Sequence, residues 1–241
     1  MINLKNIDIN SDLGEGLGND ADLMPHLSSC NIACGGHFGD LSSIKETILI
    51  AKDYNVKIGA HPSYPDKLNF GREELDISDN ELIDSLKSQL SNILEVISED
   101  SSLKLNHIKA HGALYNKSLS DFRTAKLFVD FVTPYDVPIY APYNSLVAKI
   151  AESNGVKVLN EVFLDRNYNV DGSLVSRKLK NAMFLDVDLM LERIISVLKR
   201  NELKTPAGEL IFLKADTFCI HGDTENSSSL LKTLKNNMLT Y

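Results

Sequence analysis

Four of the six histidines in this chain occupy the same kind of place: each follows a short strand-like run and stands beside glycine or proline. Cys30–Cys34 runs into Gly35-Gly36-His37, and Val56–Ala60 into His61-Pro62. Asn106–Ala110 runs into His111-Gly112, and Thr217–Ile220 into His221-Gly222. Short runs bounded by such residues predict strands, and the segments between them carry helical patterns. Strands alternating with helices imply βαβ units and a parallel sheet. In that architecture sites form where the carboxyl ends of the strands open into loops. One histidine at such a place is more often a structural hydrogen-bonder; four in equivalent places argue for a shared site.

The first strand fits the same frame. Over Ile7–Asp12, Ile7 and Ile9 point one way and Asp8, Asn10 and Asp12 the other, before Gly14-Glu15-Gly16 breaks the run. Such a polar face looks either into a site or, in an edge strand, into water.

The other elements follow in order. Asp20–Ser29 reads as a short helix or loop interrupted by Pro25, and Asp40 caps a helix to about Tyr54, with Leu41, Ile44, Ile48 and Ala51 inward. Ser78-Asp79-Asn80-Glu81 is a capping box opening a long helix. Phe122–Val132 reads as helix, Pro138–Ala141 as the fifth strand, Asn144 as the cap of a helix to Glu152, and Val156–Asn160 as the sixth strand. Glu161–Arg177 reads as a polar loop, Asp186–Arg200 as helix, and Glu209–Lys214 as ambiguous. Thr217–Ile220 is the seventh strand, and Asp223 starts a last helix to about Met238. One domain over residues 1–241, a (β/α) barrel of seven or eight strands, fits this order best; an open doubly wound sheet is the alternative.

Composition narrows the function classes. A formal net charge of −8 and no basic run argue against general nucleic-acid binding. No apolar stretch reaches the length of a membrane span. Three cysteines, Cys30, Cys34 and Cys219, do not read as a disulfide framework. With no basic-then-apolar leader pattern at the start, the expectation is a cytoplasmic protein.

The fourth strand concentrates chemistry. By alternation His107, Lys109 and His111 share one face. Lysine is almost never buried unpaired, so a barrel interior demands a partner, Asp8 or Asp12. The pair either fills space or poises an ammonium to stabilise an oxyanion. Asp165-Arg166-Asn167-Tyr168 and Asn69-Phe70-Gly71-Arg72 each offer an arginine. Either arginine can grip a carboxylate in bidentate fashion or simply form a surface ion pair. A divalent metal on Asp12 with His37 and His61 is a weakly specified expectation, since the ligands lie on separate strands. Gly112–Ser118 lacks the glycine of a phosphate loop, Gly14, Gly16 and Gly18 are misspaced for a dinucleotide fingerprint, and no nucleophile elbow or His-Glu-x-x-His occurs.

Together these segments resemble the LamB/YcsF family of 5-oxoprolinase A subunits. The resemblance rests on Asp8–Gly16, Asn31–Asp40, Gly59–Asp66, Asn69–Arg72, His107–Asn116, Glu161–Arg166, Asp171–Val175 and Cys219–Asp223, which follow family order over nearly the whole chain. Gly36 stands where the family usually has phenylalanine, and Ala110 and Ser176 where it has proline. The resemblance implies a seven-stranded, TIM-like β/α barrel of the glycoside hydrolase/deacetylase type. It implies a hydrolase that opens the cyclic amide of 5-oxoproline to L-glutamate at the expense of ATP, with partner subunits B and C handling most of the nucleotide step. The expected catalytic residues are Asp12, His61, Lys109 and His111. The expected substrate-binding residues are Asn10, Glu15, His37, Arg72, Asp165, Arg166 and His221. The competing readings are an ATP-independent, metal-dependent amidohydrolase or deacetylase, and a non-catalytic scaffold.

Overall fold

The computed structural model describes residues 4–241. Seven parallel strands close a barrel: β1 (Asp8–Leu13), β2 (Ser29–Ala33), β3 (Lys57–His61), β4 (Leu105–Ile108), β5 (Ile139–Ala141), β6 (Val158–Phe163) and, after a hairpin of β7 (Glu202–Lys204) and β8 (Leu210–Phe212), β9 (Thr217–Cys219). β9 lies between β6 and β1, in register Glu161 to Thr217 and Asp8 to Thr217. Closure settles the status of the first strand: β1 has a partner on each side and is no edge.

The helices are α1 (Asp20–Leu23), α2 (Leu41–Asp53), α3 (Asp79–Ser98), α4 (Gly112–Ser118), α5 (Phe122–Val132), α6 (Leu146–Ser153), α7 (Val187–Arg200) and α8 (Ser227–Thr240). Their apolar stripes meet the outward residues of the strands. On α2 these are Ile44, Ile48 and Ala51, with Leu41 exposed at the helix start. On α3 they are Leu82, Leu86, Leu90, Ile93 and Val96, and both halves of the Ser78–Glu81 capping box are present. Outward-facing Ile9, Ile58, Ile108, Val162 and Phe218 complete this core. No described helix is long and apolar enough to cross a membrane.

Several boundaries differ from the sequence expectation. The sixth strand starts two residues later and runs on through Phe163, so Glu161 lies inside the barrel instead of opening a loop. A buried acid is tolerated there because an ammonium and a phenol reach it. Gly112–Ser118, read only as a failed phosphate loop, is helix α4. The cap of α6 is Ser145, whose hydroxyl accepts from Ala148 N; Asn144 is in the left-handed conformation before it. Asp223 is not the start of α8, which begins at Ser227; its carboxylate serves two arginines. The ambiguous Glu209–Lys214 segment contains β8, paired antiparallel with β7.

Candidate active site

The barrel interior is polar from end to end, because alternation on β1, β2 and β4 turns Asn10, Asp12, Asn31, His107 and Lys109 inward. At the amino end, Asp8 accepts from Ser29 Oγ and Thr217 Oγ1 and pairs with Lys57 at 3.0 Å. Asp8 therefore has Lys57 as its partner, and Lys109 belongs to Asp12. Asn10 donates to Thr217 Oγ1, and its own carbonyl oxygen accepts from Asn31 at 2.8 Å. Asn31 also donates to Asp12 Oδ1 at 2.8 Å and faces His107 Nε2 at 2.7 Å. Gly59 makes room for this stack: a Cβ there would lie 2.0 Å from His107 Nε2.

At the carboxyl end the ammonium of Lys109, only 2% exposed, lies 2.9 Å from Asp12 Oδ1 and 2.9 Å from Glu161 Oε1. It also sits 3.4 Å from Cys219 Sγ and over the ring of Phe163. Tyr115 donates to the second oxygen of Glu161 at 2.9 Å. Burial on its own would lower the ammonium's pKa, but Asp12, with Cys219 and Glu161, holds it well above the ordinary lysine value. Burial would likewise raise Asp12, yet His61 and Lys109 keep it well below the usual carboxylate range. Asp12 is thus a fixed anion and Lys109 a fixed cation.

Three histidines surround this pair. His61 donates from Nδ1 to the Lys109 carbonyl at 2.9 Å, and its Nε2 lies 3.3 Å from Asp12 Oδ2 and 3.0 Å from His111 Nδ1. His111 donates from Nε2 to the Phe70 carbonyl at 2.9 Å. His37 stacks on His111 with centroids 3.7 Å apart and approaches Glu15 Oε1 to 3.1 Å. Gly71, at φ +63°, lets the backbone pass over these rings; a Cβ there would lie 3.0 Å from His37 Cβ and 3.1 Å from His111 Cδ2. Burial, then His61, lowers the His37 pKa well below the ordinary value; for His111 it is burial, then His37. Glu15 moves the other way: burial, then Asp12, pushes its carboxyl up to about 7.

The opposite wall is cationic. Arg193 of α7, itself buried, donates to the carbonyls of Phe163, Leu164 and Arg166 and so shapes the segment after β6. That segment delivers Arg166, which is 6% exposed and donates from Nη2 to Val175 O, with its Nε unpartnered. Arg166 makes no ion pair with Asp165. Asp165 instead accepts from the backbone N–H and Nδ1 of His221, at 2.9 and 3.0 Å, and from Thr224. His221 stacks on Phe163. Arg72, almost half exposed, pairs with Asp223 at 2.6 Å, and Arg177 pairs with the same carboxylate at 2.9 Å.

A cavity of about 1590 Å³ opens between these walls. Asp12, Glu15, His61, Arg72, Lys109, His111, Arg166 and His221 line it. Of the residues expected from sequence, Asn10, His37 and Asp165 lie behind that lining: Asn10 beneath Asp12, His37 behind His111, Asp165 behind His221. Glu161, Asn31, Tyr115 and Asp223 were not singled out from sequence. The signal for Glu161 was the alternation Leu159, Glu161, Phe163, which continues the strand; the others carry no local signal. Metal-ligating atoms converge in Asp12, His61 and His111, in Glu15, His37 and His111, and in Asp12, Cys219 and His221, each set within 4.8 Å. Such a wall of fixed charges beside an acid of pKa near 7 is equipped for proton transfer and oxyanion stabilisation on a small anionic substrate.

Known proteins share this arrangement of chain. The LamB/YcsF family profile matches residues 7–240. A Campylobacter jejuni protein, named as the A subunit of 5-oxoprolinase, is 40% identical over 239 residues, covering 96% of this chain and 93% of that protein. A Thermococcus sibiricus protein of the same name is 39% identical over 236 residues, covering 95% and 92%. The crystal structure of a lactam utilization protein from Thermus thermophilus superposes with a TM-score of 0.90 at 29% identity, covering 97% of this chain and 96% of that one. The chain belongs to the LamB/YcsF family.

Proposed function

We propose that this chain is the A subunit of an ATP-dependent 5-oxoprolinase and opens the lactam of 5-oxoproline to L-glutamate together with B and C subunits. The names of its relatives support the substrate. The observation that carries the chemistry is Lys109, a permanently charged ammonium held by Asp12 and Glu161 in the wall of the cavity.

A five-membered lactam is a stable amide, and its formation is intramolecular and therefore favoured. Opening it needs activation, which ATP supplies through phosphorylation of the lactam oxygen. The nucleotide step is assigned to the partners, in keeping with a sequence that has no phosphate loop. In this chain, water adds to the activated ring carbon and loses a proton, the ring C–N bond breaks and the nitrogen takes a proton to become the amine, and the acyl phosphate so formed loses inorganic phosphate to a second water to give glutamate. Lys109 stabilises the negative charge that the water-derived oxygen gains as it loses its proton and the carbon becomes tetrahedral. Asp12 is poorly matched to the work of a base because its pKa is depressed; Glu15 has the value a general base needs at neutral pH. Arg166, with Arg72 at the rim, holds the substrate carboxylate.

The test is glutamate release from 5-oxoproline and ATP by the chain alone, by the chain with B and C, and by B and C alone. Release only when all three are present is the expected result. Release by B and C alone would remove this chain from the reaction.

A further inference from the structure

The hydrogen bonds of His61 and His111 fix more than the two rings' orientation. A carbonyl oxygen only accepts, so Lys109 O requires the hydrogen on His61 Nδ1, and Phe70 O requires it on His111 Nε2. The nitrogens left over, His61 Nε2 and His111 Nδ1, then turn lone pairs toward each other across 3.0 Å. His61 Nε2 also faces Asp12 Oδ2 at 3.3 Å, and Glu15 Oε1 lies 3.5 Å from His111 Nδ1. The ligand atoms His61 Nε2, His111 Nδ1 and Asp12 Oδ2 thus converge within 4.8 Å of one another. A metal cation placed between them would satisfy all three at once.

We infer that His61 Nε2, His111 Nδ1 and Asp12 Oδ2 form the protein ligand set of a first-row divalent metal ion, zinc or a metal of similar preference, at the cavity wall. Each ligand is already oriented from behind. The outer nitrogens of both histidines donate to backbone carbonyls, the usual support for a metal-bound imidazole. The Oδ1 atom of Asp12 is occupied by Asn31 and Lys109, which leaves Oδ2 for the ion. Ligand atoms about 2.1 Å from an ion and at right angles stand about 3 Å apart, close to the two separations seen here. Two nitrogens and one carboxylate with open positions suit zinc and its neighbours better than magnesium or calcium, which favour oxygen ligands. His37 is excluded as a ligand of this ion: it stacks on His111 and its near nitrogen is taken up by Glu15. A metal here would polarise a substrate oxygen or lower the pKa of a bound water.

The inference rests on the hydrogen-bond geometry and not on the substrate, so it is tested without turnover. Metal-stripped full-length chain is titrated with Zn²⁺ by calorimetry and with Co²⁺ by visible absorption. The expected result is one ion per chain and a rise in Tm on Zn²⁺ addition. His61→Gln and His111→Gln should each weaken binding by more than the roughly 10–100-fold that losing an outer-shell partner costs. His37→Gln should bind within a few-fold of wild type. The Co²⁺ spectrum keeps the test decisive if a variant folds poorly, because it reports nitrogen ligation in the wild-type chain itself. No saturable binding to the wild-type chain, or binding unaffected by both His61→Gln and His111→Gln, would overturn the site. Glutamate release bears only on the substrate reading.

Discussion

The two walls of the cavity are built on opposite principles. On the β1–β4 side, buried acids, histidines and Lys109 sit on strands or within a few residues of their carboxyl ends and answer one another: Lys109 has Asp12 and, from β6, Glu161, His61 has Asp12, and His37 has Glu15. On the other side, two of three loop arginines share one acid: Arg177 and, reaching across from the loop after β3, Arg72 both use Asp223, and Arg166 has only a carbonyl. The first wall is fixed in position, and its charges are paired with one another. The second has positive charge to spare. The contrast divides labour between bond-making at the strand-borne wall and anion capture at the loop-borne wall, and each prediction below presses on that division.

The largest effect belongs to Lys109. Lys109→Met leaves Asp12 and Glu161 as uncompensated buried charges, so it should cost about 3–5 kcal/mol of stability in denaturant titration and abolish turnover. Adding Glu161→Gln should recover part of the stability and none of the turnover. A double variant with restored turnover would break the division, because the pair would then be mere filling.

Glu15→Gln comes next. Removing a general base should lower kcat by about 10²–10⁴-fold with the fold intact. The same variant has a pH signature in metal-stripped protein. The folded carboxyl is held at about 7 against an ordinary value of 4.5, so the unfolded chain ionises first as pH rises. Wild-type stability should therefore fall between pH 4.5 and 7 relative to the glutamine variant, be unaffected by Glu15 below that window, and show the full deficit above it. Parallel Tm profiles across that range would contradict the assignment.

On the other wall, Arg166→Gln should raise KM for 5-oxoproline by roughly 10- to 150-fold, the worth of a charged hydrogen bond, with kcat nearly unchanged. The smallest effect is expected at the amino end of the barrel. Lys57 is mostly exposed, so Lys57→Ala should cost about 0–1 kcal/mol and leave turnover alone.

The same division explains what could be read from the sequence. The strand-borne wall was legible because alternation is local: Asp12, His107, Lys109 and His111 show their common face within a few residues. The histidines that end strands marked the carboxyl rim of the barrel in the same way. Glu161 was hidden because a charged residue after Asn160 looks like loop until its partner, 52 positions earlier in sequence, is known to be Lys109. Asp223 looked like a helix start for the same reason; its role depends on Arg72 and Arg177, brought to it only by barrel closure. Asp165 and Arg166, adjacent in sequence, looked like a pair, but the backbone sends one under His221 and the other into the cavity.

The central claim is that the Lys109 ammonium, and not the packing it provides, carries the chemistry of this chain. The direct measurement is glutamate release by the Lys109→Met/Glu161→Gln double variant assembled with the B and C subunits, after circular dichroism shows it folded. The account predicts no glutamate above that from B and C alone. Turnover within a few-fold of the wild-type complex would contradict it.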